Sequence, residues 1–173
     1  MIFTGIKRKS NQLFFNKIIK EPNAATSISS SNKIKKAFIL LDDITLKQEV
    51  ISNLKASLGL KENAIEIVIF VQKKAKDTNE SSIFSSKDFG WYGKIKNEDL
   101  KNILTKKYDL LINYSKVDNL YKNLLLLQIQ AAFKVGFANL DNRFYDLLIA
   151  CKSTEIELFN KELKKYLEIL NKV

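Results

Sequence analysis

Apolar residues fall along this chain in two rhythms. Continuous runs occur at Lys36–Leu41 (KAFILL), Ala64–Val71 (AIEIVIFV), Tyr108–Tyr114 (YDLLINY), Phe133–Phe137 (FKVGF) and Phe144–Cys151 (FYDLLIAC). Runs of this length predict strands buried on both faces. Between them the spacing changes to three and four, at Ile44–Leu58, Asn97–Lys106, Val117–Ala132 and Thr154–Lys172, which predicts helices. Gly59 reads as a helix C-cap, and Thr154 with Glu157 as a capping box. Strands alternating with helices imply parallel pairing in an open sheet covered on both faces. The Ala138–Arg143 link is too short for a crossover helix, so the last two strands are expected to form an antiparallel hairpin. The expected fold is α/β, a three-layer Rossmann-like open mixed sheet of about five strands.

Ahead of this body, residues 2–20 read as a basic, partly amphipathic helix. Its expected apolar side holds Ile6, Leu13, Phe14, Ile18 and either Phe3 or Phe15. Pro22 ends it, because the residue before a proline is pushed out of the helical region. Asn23–Asn32 is small and polar, a linker. The domain reading is therefore 1–32, a basic helix and linker, and 33–173, a single α/β domain. Phe3, Phe14 and Phe15 left in water would be a liability, which argues that the helix docks. The helix at Val117–Ala132, with four consecutive leucines, is apolar nearly all round and needs cover from the arm, the C-terminal helix or a second copy of the chain.

Charge sharpens this division. Of the formal charge of +10, residues 1–36 carry +7, so the body is near neutral. Only two of the 29 basic residues are arginine, and readers of nucleic-acid bases lean on arginine's bidentate fork. Lysine supplies salt-sensitive attraction to phosphate. One cysteine rules out an intramolecular disulfide and fits a reducing compartment. No apolar run approaches the roughly 18 residues of a membrane span, and no secretory signal is evident. The expected location is cytoplasmic, with no transmembrane segment.

Candidate chemistry is thin. The chain has no histidine, the commonest general base and metal ligand, so neither a zinc site nor a serine triad is expected. The first strand–helix turn, LLDDIT, lacks glycine, so no phosphate-binding fingerprint can be drawn. No catalytic residue, metal or cofactor is assigned. In open α/β sheets ligands bind beyond the carboxyl ends of the strands, where Asp42, Asp43 and Asn113 stand. Asp43, or Asp42, is expected to cap the following helix. The loop KDFGWYGKIKNEDL begins at the same edge. In it Trp91 and Tyr92 offer a stacking platform beside Lys94, or else Trp91 folds over the sheet edge as a plug with Gly90 and Gly93 at positive φ. The plug is the leading expectation. On the arm, Lys7, Arg8, Lys9, Lys17 and Lys20 form the basic set.

Two resemblances follow from these segments. YDLLINY, an apolar helix and FKVGF together resemble the strand–helix–strand segment in the N-terminal half of heptosyltransferase-type glycosyltransferases. The likeness covers a short stretch and implies shared topology. KKAFILLDDI, KDFGWYGKIKN, YDLLINY, AAFKVGF and the terminal FNKELKKYLEILNKV resemble an uncharacterised domain family of Bacteroidota, the G-W-x-G-K-I segment being the most specific part. That family implies a basic N-terminal helix on a compact α/β domain and brings no activity.

The sequence thus points to a non-catalytic binding or adaptor protein whose partner is a polyanion, such as ribosomal or other RNA, or an acidic protein. The alternative is a small-molecule or nucleotide-binding domain, a degenerate enzyme, using Asp42, Asp43, Asn113, Trp91 and Lys94 at the carboxyl edge. A surface role on anionic membranes is a third reading, and homo-oligomerisation through residues 117–132 a further expectation.

Overall fold

The computed structural model describes residues 2–20, 33–74 and 82–173. The expected linker at 23–32 and the stop at Pro22 lie outside them. A leading helix α1 (Ile2–Ile18) precedes β1 (Ala37–Leu41), α2 (Lys47–Leu58), β2 (Ile65–Phe70), β3 (Ile83–Phe84), α3 (Glu98–Thr105), β4 (Lys107–Asn113), α4 (Leu120–Gln128), β5 (Gln130–Phe137), β6 (Leu147–Ile149) and α5 (Ile156–Ile169). The strands form one six-stranded sheet in the order β3-β2-β1-β4-β5-β6, and every pairing is parallel.

Succession runs one way from β1 to β3 and the other way from β4 to β6, reversing between β1 and β4. Right-handed crossovers then place α2 and α4 on opposite faces. One core layer holds Val50, Ile51 and Leu54 of α2 and Phe159, Leu163 and Leu167 of α5 against Ile39, Ile69, Ile112 and Val135. The other holds Leu100 of α3 and Leu124–Leu126 of α4 against Phe38, Leu40, Val68 and Leu111, joined by Phe15 of α1. Adjacent residues of β1 thus feed opposite layers, which is why its run is apolar throughout.

The α/β class, the three layers and the C-cap of Gly59 (φ 67°) agree with the sequence reading. Four features do not. The strand count is six, because Ile83 and Phe84 add a two-residue edge strand too short to show a period. The sheet is wholly parallel instead of mixed. Val135 pairs with Leu147, so the 138–146 segment retraces only about two or three residues, roughly 10 Å. A turn at Phe137–Leu140 and a 3-10 turn at Asn142–Phe144 cover that without a long helix. The Asp146 carboxylate then accepts the Lys134 N–H at 2.7 Å and sets the register. Next, α4 is shorter than its apolar run suggests, and β5 begins at Gln130. Lys134 of β5 reaches back and donates to Leu126 O at 3.1 Å, closing α4 where no glycine or proline marks the end. Finally, α5 starts after Glu155, which makes no side-chain cap, so the Thr154–Glu157 box does not form.

Candidate functional site

The leading helix seats itself through a polar stripe. Lys7, Ser10, Asn11 and Phe14 stand three and four apart and therefore share a face. That face meets the Ser86–Gly93 loop. The Lys7 ammonium donates to Ser86 O (3.1 Å) and Phe89 O (3.0 Å). Ser10 Oγ accepts the Tyr92 N–H at 3.2 Å. The Asn11 side chain, fully buried, donates to Gly90 O at 2.9 Å and accepts the Gly93 N–H at 2.6 Å. It mimics a strand partner for a loop with no other use for those two groups. Burial, with Lys96 nearby, lowers the pKa of Lys7, and Asp88 partly offsets this.

Phe14 completes the joint. Gly93 has φ 71°, and a Cβ placed there would stand 2.3 Å from Phe14 Cε1. The gap over the loop is therefore plugged by Phe14, and the expectation of a Trp91 plug is corrected: Trp91 is 43% and Tyr92 64% exposed. The positive φ falls on Tyr92 (52°) and Gly93, not on Gly90. A tyrosine held in the left-handed region costs about 1–2 kcal/mol. The Ser10 contact and the Asn11 bridge on either side of it hold it there.

The outer face of α1 reverses the expected amphipathicity. Only Phe14, Phe15 and Ile18 of the expected apolar set turn inward; Phe3 (80% exposed), Ile6 and Leu13 (68%) face out. Phe3, Ile6, Leu13 and Lys17 form one exposed stripe by spacing, with Ser10 buried beside it under the loop. Through its bond to the Tyr92 N–H, Ser10 brings the edge of this stripe to the loop. Arg8, Lys9, Lys17, Lys20, Lys94 and Lys96 are exposed, Arg8 close enough to Tyr121 to act on its ionisation. Of the basic candidates, Lys7 is taken up by the joint. The others are exposed: by spacing Lys17 shares the stripe and Arg8 stands on the opposite side of the helix, while Lys94 and Lys96 lie in the loop that carries Trp91 and Tyr92.

A second feature lies at the carboxyl edge, where the strand succession reverses. Asp42 directly follows β1; its Oδ2 accepts the Lys116 N–H from the loop after β4 at 2.9 Å and stands 3.6 Å from Lys122 Nζ. Asp42 Oδ1 is covered and has no hydrogen-bond partner. Lys122, on the first turn of α4, donates to Val117 O at 2.6 Å. Burial lowers its pKa, and Asp42 and Asp118 pull the other way. Asp43 caps the 3-10 turn at Ile44–Leu46 as expected, accepting from Thr45 N (3.0 Å) and Thr45 Oγ1 (2.7 Å), bonds that hold its pKa below the usual value. These groups border a cleft of about 250 Å³ floored by Phe70, with Gln72 and Asn119 on its rim.

The five residues of the alternative reading do not converge. Asp42 and Asp43 border the cleft, but Asn113 is buried and used structurally, donating to Tyr145 Oη (2.6 Å) and accepting from Ser115 N (2.9 Å). Trp91 and Lys94 belong to the α1 surface and do not line the cleft. The sequence reading missed Lys116 and Lys122. A lone lysine in LYKNLLLLQ was the available signal, since burying an ammonium demands partners.

Leu124–Leu126 of α4 are fully buried within the chain, in the layer that also holds Phe15 of α1 and Phe144. Among the described residues, no helix is long and apolar enough to cross a membrane. No group of three or more potential ligand side chains could hold a metal ion there either. In comparisons with known proteins, the sequence model described as a family of unknown function, DUF6913, matches residues 7–170. The match includes most of α1 with the α/β body. No curated protein and no solved structure matches the chain.

Proposed function

We propose, from the premise that the chain belongs to the DUF6913 family and that membership brings no activity with it, that this protein is a non-catalytic cytoplasmic binding or adaptor protein. It engages an anionic partner through α1 and the Trp91–Lys96 loop. The observation that carries this reading is the α1 stripe: Phe3, Ile6 and Leu13 stay in water although Phe14 and Phe15 of the same helix are turned inward. Exposed apolar groups gathered in one patch mark an interaction site. Flanking lysines add attraction for negative charge.

The aliphatic content favours an acidic protein, whose own apolar side chains would sit on Ile6 and Leu13. RNA is the second reading, favoured by exposed Trp91 and Tyr92 beside Lys94, which suit base stacking next to phosphate. The strand order is that of doubly wound, Rossmann-like sheets, a scaffold that hosts many functions.

The test is affinity capture from a mild lysate, with and without ribonuclease, comparing the intact chain with an Ile6→Ser/Leu13→Ser variant. Both side chains point outward, so the variant keeps its fold. A partner lost on the variant, weakened by salt and indifferent to ribonuclease supports the acidic protein; loss on ribonuclease treatment moves the reading to RNA. The same partners on both forms at every salt concentration would remove the proposal. Deleting residues 1–32 is the poorer test, because it also strips Asn11 and Phe14 from the loop.

A further inference from the structure

We propose that the cleft between the ends of β1 and β4 binds a small, neutral, polyhydroxylated molecule of the sugar or polyol class, one of whose hydroxyls is shared between the Asp42 carboxylate and the Lys122 ammonium. The site is distinct from the α1 surface and does not depend on it.

Place is the first argument. The crevice outside the carboxyl ends of an open parallel sheet, where the order of succession reverses, is where the strand ends and their loops diverge and leave room. Here it opens between Asp42 and the Lys116–Asn119 loop. The second argument is hydrogen-bonding capacity that the chain leaves unused. A carboxylate offers about four acceptor positions. Oδ1 is enclosed and out of a ligand's reach, and at Oδ2 the chain supplies only one backbone N–H and one distant ammonium. Lys122 has three N–H donors, of which one goes to Val117 O, while Asp42 lies beyond ordinary hydrogen-bond length at 3.6 Å. An acceptor and a donor this close, each underused, suit a group that both donates and accepts. A hydroxyl does so.

The charge balance sets the ligand class. Two carboxylates, Asp42 and Asp43, face two ammonium groups, Lys116 and Lys122, so the rim is neutral and favours an uncharged ligand. A phosphate also lacks its usual cradle of backbone N–H groups. The Thr45 N–H goes to Asp43, the Tyr121 N–H to Asn119, and the Lys116 N–H to Asp42. The cleft volume of about 250 Å³ suits a molecule of monosaccharide size. Asp42 leaves 18% of its side chain open to it, and Lys122 only 5%, so the first hydroxyl enters on the Asp42 side.

The experiment is a two-dimensional amide NMR titration of the full chain with D-ribose, D-glucose and myo-inositol, with inorganic phosphate and glycine as separate arms. The expected result is saturable shifts at the amides of Asp42, Lys116 and Lys122 with at least one of the three polyols. Asp42→Asn or Lys122→Met should weaken these about tenfold or more, the loss of one hydrogen bond to a charged group. A flat response to all three polyols overturns the proposal. So do shifts from phosphate or glycine alone, or titration curves unchanged in both variants. If neither variant folds, the wild-type arms still decide.

Discussion

Replacing Asn11 by alanine isolates the joint that holds α1. Its side chain satisfies two buried backbone groups of the loop, the Gly90 carbonyl and the Gly93 N–H. Truncation leaves both without a partner in a place closed to solvent. Each such orphan costs about 1–3 kcal/mol, so the docked state loses roughly 2–6 kcal/mol, towards the lower end if water enters the space. The bond from Asn11 to Lys7 O adds little, because a helical carbonyl lost from a side chain keeps its ladder partner. What is measured cannot exceed the free energy of docking itself, since α1 can leave while the sheet stays folded. Hydrogen exchange separates the two cases. In Asn11→Ala, amides of α1 and of the Phe89–Gly93 loop should lose protection, while those of β1 and β4 keep theirs. Urea unfolding should show a lowered midpoint or an added early transition. A loss under about 0.5 kcal/mol, with α1 protection unchanged, would refute the reasoning, because that is the scale of an indifferent surface change.

Three further outcomes follow from neighbouring geometry. Gly93→Ala should undock α1 as Asn11→Ala does, since its Cβ meets the Phe14 ring at 2.3 Å at a φ of 71°; wild-type exchange protection of α1 would contradict this. Tyr145→Phe removes the acceptor of the buried Asn113 amide and should destabilise the whole domain by about 1–3 kcal/mol in urea unfolding, with α1 exchange altered no more than the rest. Asp43 has a folded pKa below its reference of 3.8, so its contribution is complete above that pH and fades as pH falls through the folded value. The stability gap between wild type and Asp43→Ala should therefore be about 1 kcal/mol near neutrality and narrow in acid; a gap independent of pH would count against the cap.

Much of the architecture is legible in order of residues alone. KAFILL, AIEIVIFV and YDLLINY are apolar at consecutive positions, interrupted only by Lys36, Glu66, Asp109 and Asn113, because a central parallel strand is covered on both sides, and nothing non-local is needed to see that. The cap at Asp43 and the stop at Gly59 are equally local, being set by groups within a few residues. Even the docking of α1 was visible in outline, since Phe14 and Phe15 demand cover.

The tertiary structure decided which way that helix faces, and it did so against the hydrophobic pattern. Asn11 is buried because two loop carbonyl and amide groups, distant by 79 and 82 residues in sequence, happen to need it. No period along the helix encodes partners so remote. The direction of β6 belongs to the same class, because the Lys134–Asp146 contact sets it from across the sheet. So does the pairing of Asp42 with Lys116 and Lys122, which meet only when β1 and β4 lie side by side. Periodicity reports which residues avoid water; it carries no record of which distant polar group each buried one must satisfy.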